Sequence, residues 1–208
     1  LEAKALGIRY HPTLDIFTFQ LDLPEKLAGQ TAWTKRQLLS ALSRLYDPLG
    51  LICPITVQSR LIFQNLWQLP CGWDDSIPEG QLRAWLAWLK NATDLPEIKI
   101  PRSLTPVVGT SKSQHDLIVF VDASQHIMAA AVYLRTIFGN NTAVRLVAAK
   151  TKLAPMKKET IPRLELSAAL IGTKLARVAQ RALQVDVSSY FSDSKNVLFW
   201  LRTRDRHL

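Results

Sequence analysis

The stretch Leu117-Ile118-Val119-Phe120-Val121-Asp122 is an apolar run of strand-forming residues that ends abruptly in a carboxylate. A run of this length, rich in branched and aromatic side chains, is typical of a buried strand. Residues 129–134 and 145–150 have the same character, and the turn formers Gly139-Asn140-Asn141 separate them. The sequence therefore predicts three successive strands in this part of the chain.

A long helical pattern and a fourth strand complete this half. Pro162 opens the helix near Thr160, residues 185–191 form the strand, and a last helix begins near Ser192. The order strand, strand, strand, helix, strand, helix predicts an α/β (α+β) fold, a mixed sheet with flanking helices. The apolar stripe predicted for the long helix comprises Leu164, Ala168, Ile171, Leu175, Val178 and Ala182.

The first half begins with a predicted β-hairpin and continues with helices. Residues 17–23 alternate apolar and polar side chains, as in a half-buried strand, and residues 8–10 form the partner strand across a turn at His11-Pro12-Thr13. Thr34 and Gln37 have the spacing of a capping box, which predicts the start of a helix.

Two more helices are predicted, from about Pro54 to Trp67 and from the start signal Ser76-Ile77-Pro78-Glu79 onward. The last of these helices has one apolar face, which includes Trp85. We interpret the tryptophans as core residues, with a platform for stacking bases as the alternative.

The charge of the chain is uneven. Residues 1–108 hold 11 basic and 10 acidic residues, whereas residues 109–208 hold 15 basic and 7 acidic ones. The change falls within residues 93–114, a segment punctuated by Pro96, Pro101 and Pro106, which predicts a linker between domains 1–108 and 109–208. A basic domain beside a neutral one indicates a polyanionic partner, most often nucleic acid.

Several classes of protein are disfavoured by the composition. The longest run without a charge, residues 61–73, has 13 residues, and a membrane-spanning helix needs about 20. Cys53 and Cys71 do not form the framework of a secreted disulfide-rich protein, and no zinc-binding spacing is present. We therefore expect no membrane contact and a reducing, intracellular setting. Because the chain does not begin with Met, we expect it to be part of a longer protein.

Three carboxylates in the second half of the chain lie at strand ends or near a helix start, positions where functional sites commonly form. Asp122 ends an apolar strand, Glu165 lies near the start of the long helix, and Asp193 directly follows the fourth strand. Glu165 is followed at helical spacing by Ala169, Gly172 and Ala176, small residues that would let the helix approach the sheet closely. Clustered carboxylates repel one another unless a cation lies among them, and oxygen ligands suit Mg²⁺ or Mn²⁺.

Basic residues accompany these acids and could hold a polyanion. They are Lys150, Lys152, Lys157, Lys158 and Arg163, followed on one helix face by Lys174, Arg177 and Arg181. Each of these residues also has an ordinary structural interpretation. Asp122 could start a turn with Ser124, Asp193 or Ser192 could cap a helix, Glu165 could favour the helix N-terminus, and the basic residues could form a solvated face.

The motifs resemble those of a known family. Val121-Asp122-Ala123-Ser124, Ile161-Pro162-Arg163-Leu164-Glu165-Leu166 and Phe191-Ser192-Asp193-Ser194-Lys195 resemble the ribonuclease H region of retroelement polyproteins. Leu6-Gly7-Ile8-Arg9-Tyr10, Thr34-Lys35-Arg36, Tyr46-Asp47-Pro48-Leu49-Gly50 and Trp73-Asp74-Asp75 resemble the Pol polyprotein of Pao (BEL-type) LTR retrotransposons, in which they follow the reverse transcriptase palm.

The resemblance implies a ribonuclease H-like fold that cuts RNA in RNA–DNA hybrids with Mg²⁺ or Mn²⁺. Asp122, Glu165 and Asp193 match the first three carboxylates of the family and would be both its catalytic residues and its metal ligands. Residues 1–108 would be the thumb or connection segment of the reverse transcriptase. The implied partners are nucleic acid and the rest of the Pol polyprotein, and the implied location is the cytoplasm, in virus-like particles, and the nucleus.

The sequence departs from the family pattern at its end. The Tyr-x-Asp-Asp motif of the polymerase is absent, and Asp205 and His207 lie too close to Asp193 to match the fourth acid and the nearby histidine of the family. We therefore expect a truncated nuclease domain, with weak or no activity from these 208 residues alone.

Two other functions remain open. One is a non-catalytic module that binds nucleic acid or connects domains, in which the three acids only cap and pack. The other is an aspartic peptidase, because similar sequences are grouped as a Pao retrotransposon peptidase family. That chemistry needs Asp-Thr/Ser-Gly turns, whereas Ala-Ser follows Asp122 and Ser-Lys follows Asp193, so a peptidase is disfavoured.

Overall fold

The computed structural model describes residues 3–5, 7–27, 29–105 and 113–203. The chain divides into two compact units, Leu1–Pro48 with Ile52–Ser103, and Leu49–Leu51 with Leu104–Leu208. Each unit contains a four-stranded sheet. Among the described residues, no helix has both the length and the apolar character that are needed to cross a lipid bilayer.

The sheet of the first unit is antiparallel and larger than the predicted hairpin. Its strands, in order along the sheet and the chain, are β1 (Ala3–Ala5), β2 (Ile8–His11), β3 (Ile16–Phe19) and β4 (Ile100–Pro101). The prediction of a strand over residues 17–23 is wrong beyond Phe19, because the register of β2 with β3 ends at the pair Ile8 and Phe19. β4 lies in the segment predicted as a linker, which also contains a 3-10 turn at Leu95–Glu97.

Three helices complete this unit: α1 (Lys35–Leu42), α2 (Cys53–Asn65) and α3 (Glu79–Ala92). The predicted capping box is confirmed, since the backbone N–H of Gln37 donates to Thr34 Oγ1 over 3.3 Å and the backbone N–H of Thr34 donates to Gln37 Oε1 over 2.9 Å. These bonds satisfy backbone donors that the first turn of α1 leaves without partners.

Tryptophans form the centre of the first unit, as predicted. Trp33, Trp85 and Trp88 are buried, and Trp85 stacks on Trp88 with 5.0 Å between ring centroids. Trp88 Nε1 donates to the Ile55 carbonyl over 2.9 Å and so ties α3 to α2. Trp67 and Trp73 differ, because they keep 49% and 39% of their surface exposed.

Gly7 packs directly against the backbone of Tyr46, so two of the sequence motifs of the first unit are in contact. Its φ is +81°, and a Cβ placed on it would lie 2.4 Å from the Tyr46 carbonyl oxygen. The segment that begins at Tyr46 is held in turn by Asp47, whose Oδ2 accepts from the Ile52 N–H over 2.9 Å. Only glycine meets both the steric and the conformational demand at position 7.

The second unit contains β5 (Ser113–Ala123), β6 (Ile127–Phe138), β7 (Asn141–Leu153), α4 (Ile161–Leu183), β8 (Val187–Phe191) and α5 (Lys195–Arg202). The sheet order is β7-β6-β5-β8. β5 pairs with β6 and β6 with β7 in antiparallel fashion, whereas β5 and β8 are parallel. The predicted mixed sheet with flanking helices is confirmed.

Helix α4 covers one face of this sheet. Alternate residues of β5, Leu117, Val119 and Val121, are buried in the core that includes α4. The predicted apolar stripe of α4 is wrong in part, because Val178 is 65% exposed and Ala182 is exposed as well. The buried stripe is Leu164, Ala168, Gly172, Ala176 and Ala179. The helix turns its small residues to the sheet, since these allow the closest approach.

An ion pair lies on the opposite face of the same sheet. Asp116 of β5 and Arg135 of β6 are directly opposite in the register, and Arg135 Nε donates to Asp116 Oδ1 over 2.8 Å. The hydrogen bonds from Arg135 lower the pKa of the Asp116 carboxyl below its ordinary value. A second bond of Arg135, from Nη2 to Asp116 Oδ2, makes the pair bidentate.

Gly7→Ala should lower the free energy of unfolding by about 1–3 kcal/mol, because the new methyl group meets the Tyr46 carbonyl and the backbone must leave its positive φ. The control is Gly80→Ala in α3, where a Cβ would meet nothing within 4 Å. Because Gly80 is exposed in the first turn of α3, that change should alter stability by no more than about 0.5 kcal/mol. Chemical denaturation measures both, and equal effects of the two variants would contradict the assignment of the contact.

Asp116→Asn should lower the free energy of unfolding at pH 7. The difference in this free energy between the variant and the unmutated chain should become smaller in acid. A carboxyl whose pKa is depressed by folding stabilises the fold above its unfolded pKa of about 3.9 and loses that effect as the pH falls through the folded pKa. Urea denaturation at pH 7 and pH 2.5 measures the two differences. A difference that is the same at both pH values would refute the role of the ion pair.

Candidate active site

Two of the three predicted carboxylates lie at the carboxyl ends of neighbouring strands in the second sheet, Asp122 within the last residues of β5 and Asp193 just after β8. β5 and β8 are parallel, and Phe120 is paired with Phe191 in their register. Asp122 and Asp193 each come two residues after this pair. Because adjacent strands lie about 4.8 Å apart, the two acids belong to neighbouring chain segments at one end of the sheet.

Glu165 is tied to this edge by a direct side-chain contact. It lies in the second turn of α4 and is half-buried. The hydroxyl of Ser194, the residue after Asp193, donates a hydrogen bond to Glu165 Oε2. Glu165 and Asp193 are therefore brought together through one intervening serine.

A close approach of α4 to the sheet makes this contact possible. A Cβ placed on Gly172 would lie 2.3 Å from Val121 Cγ1 and 3.3 Å from Val119 Cγ1. The prediction that small residues after Glu165 face the sheet is confirmed for Gly172 and Ala176, which are buried, and Ala169 is half-buried. Glycine is required here by packing and not by its backbone conformation.

The Asp122 side chain projects from the face of β5 that is opposite α4. Val121 faces α4, and since side chains alternate along a strand, Asp122 projects on the opposite side of β5. Its Oδ1 accepts a hydrogen bond from the Ala123 N–H over 2.7 Å, and the residue is exposed. The acids on the two faces could meet only around the edge of the sheet, where β5 ends.

The expected metal site is not assembled in this arrangement. Within residues 3–5, 7–27, 29–105 and 113–203, no three Asp, Glu, His or Cys side chains are close enough together to hold one metal ion. Asp122 and Glu165 leave from opposite faces of the sheet, so the three carboxylates are not gathered around one point, and a metal site formed by Asp122, Glu165 and Asp193 stays a prediction. Carboxylate oxygens at one end of the sheet are suitable ligands for a hard divalent cation. The three side chains do not surround a common point in this structure.

The ordinary structural roles considered for these acids belong to other residues. The Ser124 hydroxyl accepts from the N–H groups of His126 and Ile127, so Ser124 and not Asp122 organises the turn after β5. The cap of α5 is Ser194, whose Oγ accepts from the Val197 N–H over 3.3 Å. The first turn of α4 contains no acid, because Glu165 comes one residue later. Asp193 is exposed and makes no hydrogen bond or ion pair within the described part of the chain.

All eight predicted basic residues are exposed. Lys150 and Lys152 lie on the edge strand β7, opposite Ala130 and Met128, and so on the sheet face that α4 covers. The others precede α4 or lie along its outer side: Lys157, Lys158, Arg163, Lys174, Arg177 and Arg181. Their exposure suits contact with a polyanion and equally suits a solvated face. Asp205 and His207 lie outside the described residues.

Sequence reasoning missed Ser194, although a signal was available. A serine directly before an apolar helical pattern is a preferred cap, yet Ser192 and Asp193 precede the same pattern. It also missed an aromatic group on the sheet face opposite α4, where Phe120 stacks on Phe191 with 5.0 Å between centroids and meets Tyr133 edge-on at 5.8 Å. The register that brings these rings together is a tertiary feature.

Comparison with known proteins agrees with this architecture. The family model "Pao retrotransposon-like RNaseH-like domain" matches residues 34–194. None of the curated proteins compared with the chain matches it.

The solved structures that are similar to the chain include two of a foamy viral protease-reverse transcriptase. The foamy viral protease-reverse transcriptase in complex with dsDNA is 14% identical with a TM-score of 0.52, and the match covers 100% of this chain and 40% of that one. The dRH form of the same viral protein with ds DNA is 14% identical with a TM-score of 0.43, and the match covers 100% and 34% of the two chains. The first likeness supports the fold, and the chain spans well under half the length of either relative.

Gly172→Ala should lower the free energy of unfolding by about 1–3 kcal/mol, because the methyl group overlaps Val121 and forces α4 away from the sheet. In a Val121→Ala background the same change should cost less, since the overlapping Cγ1 is gone. Denaturation of the four proteins in this double-mutant cycle measures the coupling. Additive effects would show that the two residues do not touch.

Proposed function

The chain belongs to the family of Pao retrotransposon-like RNaseH-like domains, and from this premise we propose that it is a fragment of a retroelement Pol polyprotein. Its second unit would serve the hydrolysis of RNA in RNA–DNA hybrids, with Mg²⁺ or Mn²⁺, in the context of the full polyprotein. The observation that carries the proposal is the placement of Asp122, Glu165 and Asp193 around one end of the β5–β8 pair.

The three carboxylates are the residues that would hold the divalent ions. Such ions, when bound, activate water and stabilise the leaving oxygen of a phosphodiester. Asp193 follows β8 and Glu165 is held next to it by Ser194, so these two acids form the more organised part of the site. Asp122, exposed at the end of β5, would complete the set from the other face.

The basic residues would bind the phosphates of the nucleic acid. Lys150 and Lys152 project from β7 on the face that α4 covers, and Lys174, Arg177 and Arg181 recur along α4. Cations of this kind neutralise backbone phosphates without reading sequence, and their contribution falls as salt rises. They orient the duplex, while the carboxylates act at the scissile bond.

The first unit would be the thumb or connection segment of the reverse transcriptase. Its neutral balance of charge and its helices around a tryptophan core suit a structural element that joins the polymerase to the nuclease. In this proposal its partners are nucleic acid and the rest of the polyprotein. The locations that follow are virus-like particles in the cytoplasm, and the nucleus.

A second function is favoured by one specific observation. The described residues contain no three-ligand metal group, and the basic residues are exposed on the same unit. A module that binds nucleic acid without cutting it would need only these cations. The cleavage experiment separates the two functions.

The chain, extended by the downstream part of its polyprotein, should cut a labelled RNA–DNA hybrid when Mg²⁺ or Mn²⁺ is supplied. Asp122→Asn and Asp193→Asn should each lower the rate at least about 100-fold, because each removes a charged metal ligand. The matched control is Asp186→Asn, which changes an exposed acid just before β8, at the end of that strand away from Asp193, and should keep the rate.

Two results would contradict the proposal. Cleavage that survives both substitutions would place the chemistry elsewhere. Binding that weakens steeply with salt, without cleavage in the extended chain, would favour the non-catalytic module.

A further inference from the structure

The Ser194 hydroxyl connects Glu165 of α4 to the segment that carries Asp193. Ser194 is buried, with 6% of the residue's surface exposed. Its Oγ donates to Glu165 Oε2 and at the same time accepts from the Val197 N–H over 3.3 Å. A hydroxyl has one donor and two acceptor positions, so the two bonds are compatible and fix its rotation.

The segment around Asp193 is braced on both sides by this arrangement. The Ser194 N–H donates to Ser192 Oγ over 3.2 Å, which ties together the residues that flank Asp193. The Ser194 hydroxyl then connects the same segment to α4 and to the first turn of α5. The backbone that carries Asp193 is therefore held relative to Glu165 by hydrogen bonds and not by packing alone.

We infer that Ser194 is a positioning residue, which holds the Glu165 carboxylate beside Asp193 in the orientation that a divalent cation requires. The inference rests on the proposed function of the two acids. The hydroxyl donates to Oε2, and Oε1 of Glu165 makes no hydrogen bond within the described part of the chain, so it is available as a ligand. Outer partners of this kind set the orientation of metal ligands, and their loss commonly costs 10–100-fold in metal affinity.

A helix cap without a role at the site would behave differently. Removal of a cap destabilises its helix, but it does not change how a carboxylate on another helix meets a cation. Thr34 provides the comparison, because it caps α1 in the first unit through a capping box and contacts none of the three acids. Thr34→Ala therefore imitates the loss of a cap and leaves the site intact.

The experiment measures Mn²⁺ binding by the 208-residue chain, using the electron paramagnetic resonance signal of free Mn²⁺. Ser194→Ala should raise the dissociation constant about tenfold, whereas Ser194→Thr, which keeps a hydroxyl, should stay within about twofold of the unmutated chain. Thr34→Ala should also leave the constant unchanged. Melting curves of all four proteins show whether the folded state is retained.

A second readout does not depend on metal binding. With ¹³C-labelled glutamate and no metal, the carboxyl resonance of Glu165, assigned through Glu165→Gln, should move in Ser194→Ala and keep its position in Ser194→Thr. An unmoved resonance, or an unchanged dissociation constant in a folded Ser194→Ala protein, would overturn the inference. If the unmutated chain binds no Mn²⁺ while the resonance moves, the contact is verified but the role of Ser194 at a metal fails, whereas the proposed function is tested separately by cleavage with the extended chain.

Discussion

The contact between α4 and β5 at Gly172 is the constraint on which the second unit depends. No side chain larger than a hydrogen atom fits between the helix and Val121, so the helix lies as close to the sheet as its backbone permits. This approach sets the position of the first turns of α4, and with them Glu165, relative to the ends of β5 and β8. The same packing buries Leu164 and Ala168 and closes the core. A single steric requirement therefore couples the stability of the unit to the geometry of the site.

Much of the fold could be predicted from local patterns. The run from Leu117 to Val121 predicts strand β5, and the capping box at Thr34 predicts the start of α1, because strand composition and caps are encoded within a few residues. The stripe of α4 was misjudged at Val178, because periodicity identifies an apolar side but does not weigh small residues that pack more closely. β4 was missed for a related reason: two residues at Ile100–Pro101 become a strand only through a partner, β3, far away in the chain.

The site could be predicted at the level of the backbone and less well at the level of side chains. The positions of Asp122 and Asp193 follow from the rule that parallel strands bring their carboxyl ends to one edge. The direction of each carboxylate depends on alternation along β5 and on the hydroxyl of Ser194, and neither is visible in spacing alone. Three negative charges also repel one another, so their convergence requires a cation and is not a property of the chain by itself.

Paramagnetic line broadening by Mn²⁺ tests the central claim most directly, because it reports which residues surround a bound ion. In a ¹³C-labelled chain titrated with Mn²⁺, the account predicts that the carboxyl resonances of Asp122, Glu165 and Asp193 broaden together at the lowest concentrations, ahead of those of Asp116 and Asp186. Broadening that begins at other carboxylates, or that reaches Glu165 and Asp193 but never Asp122, would contradict it.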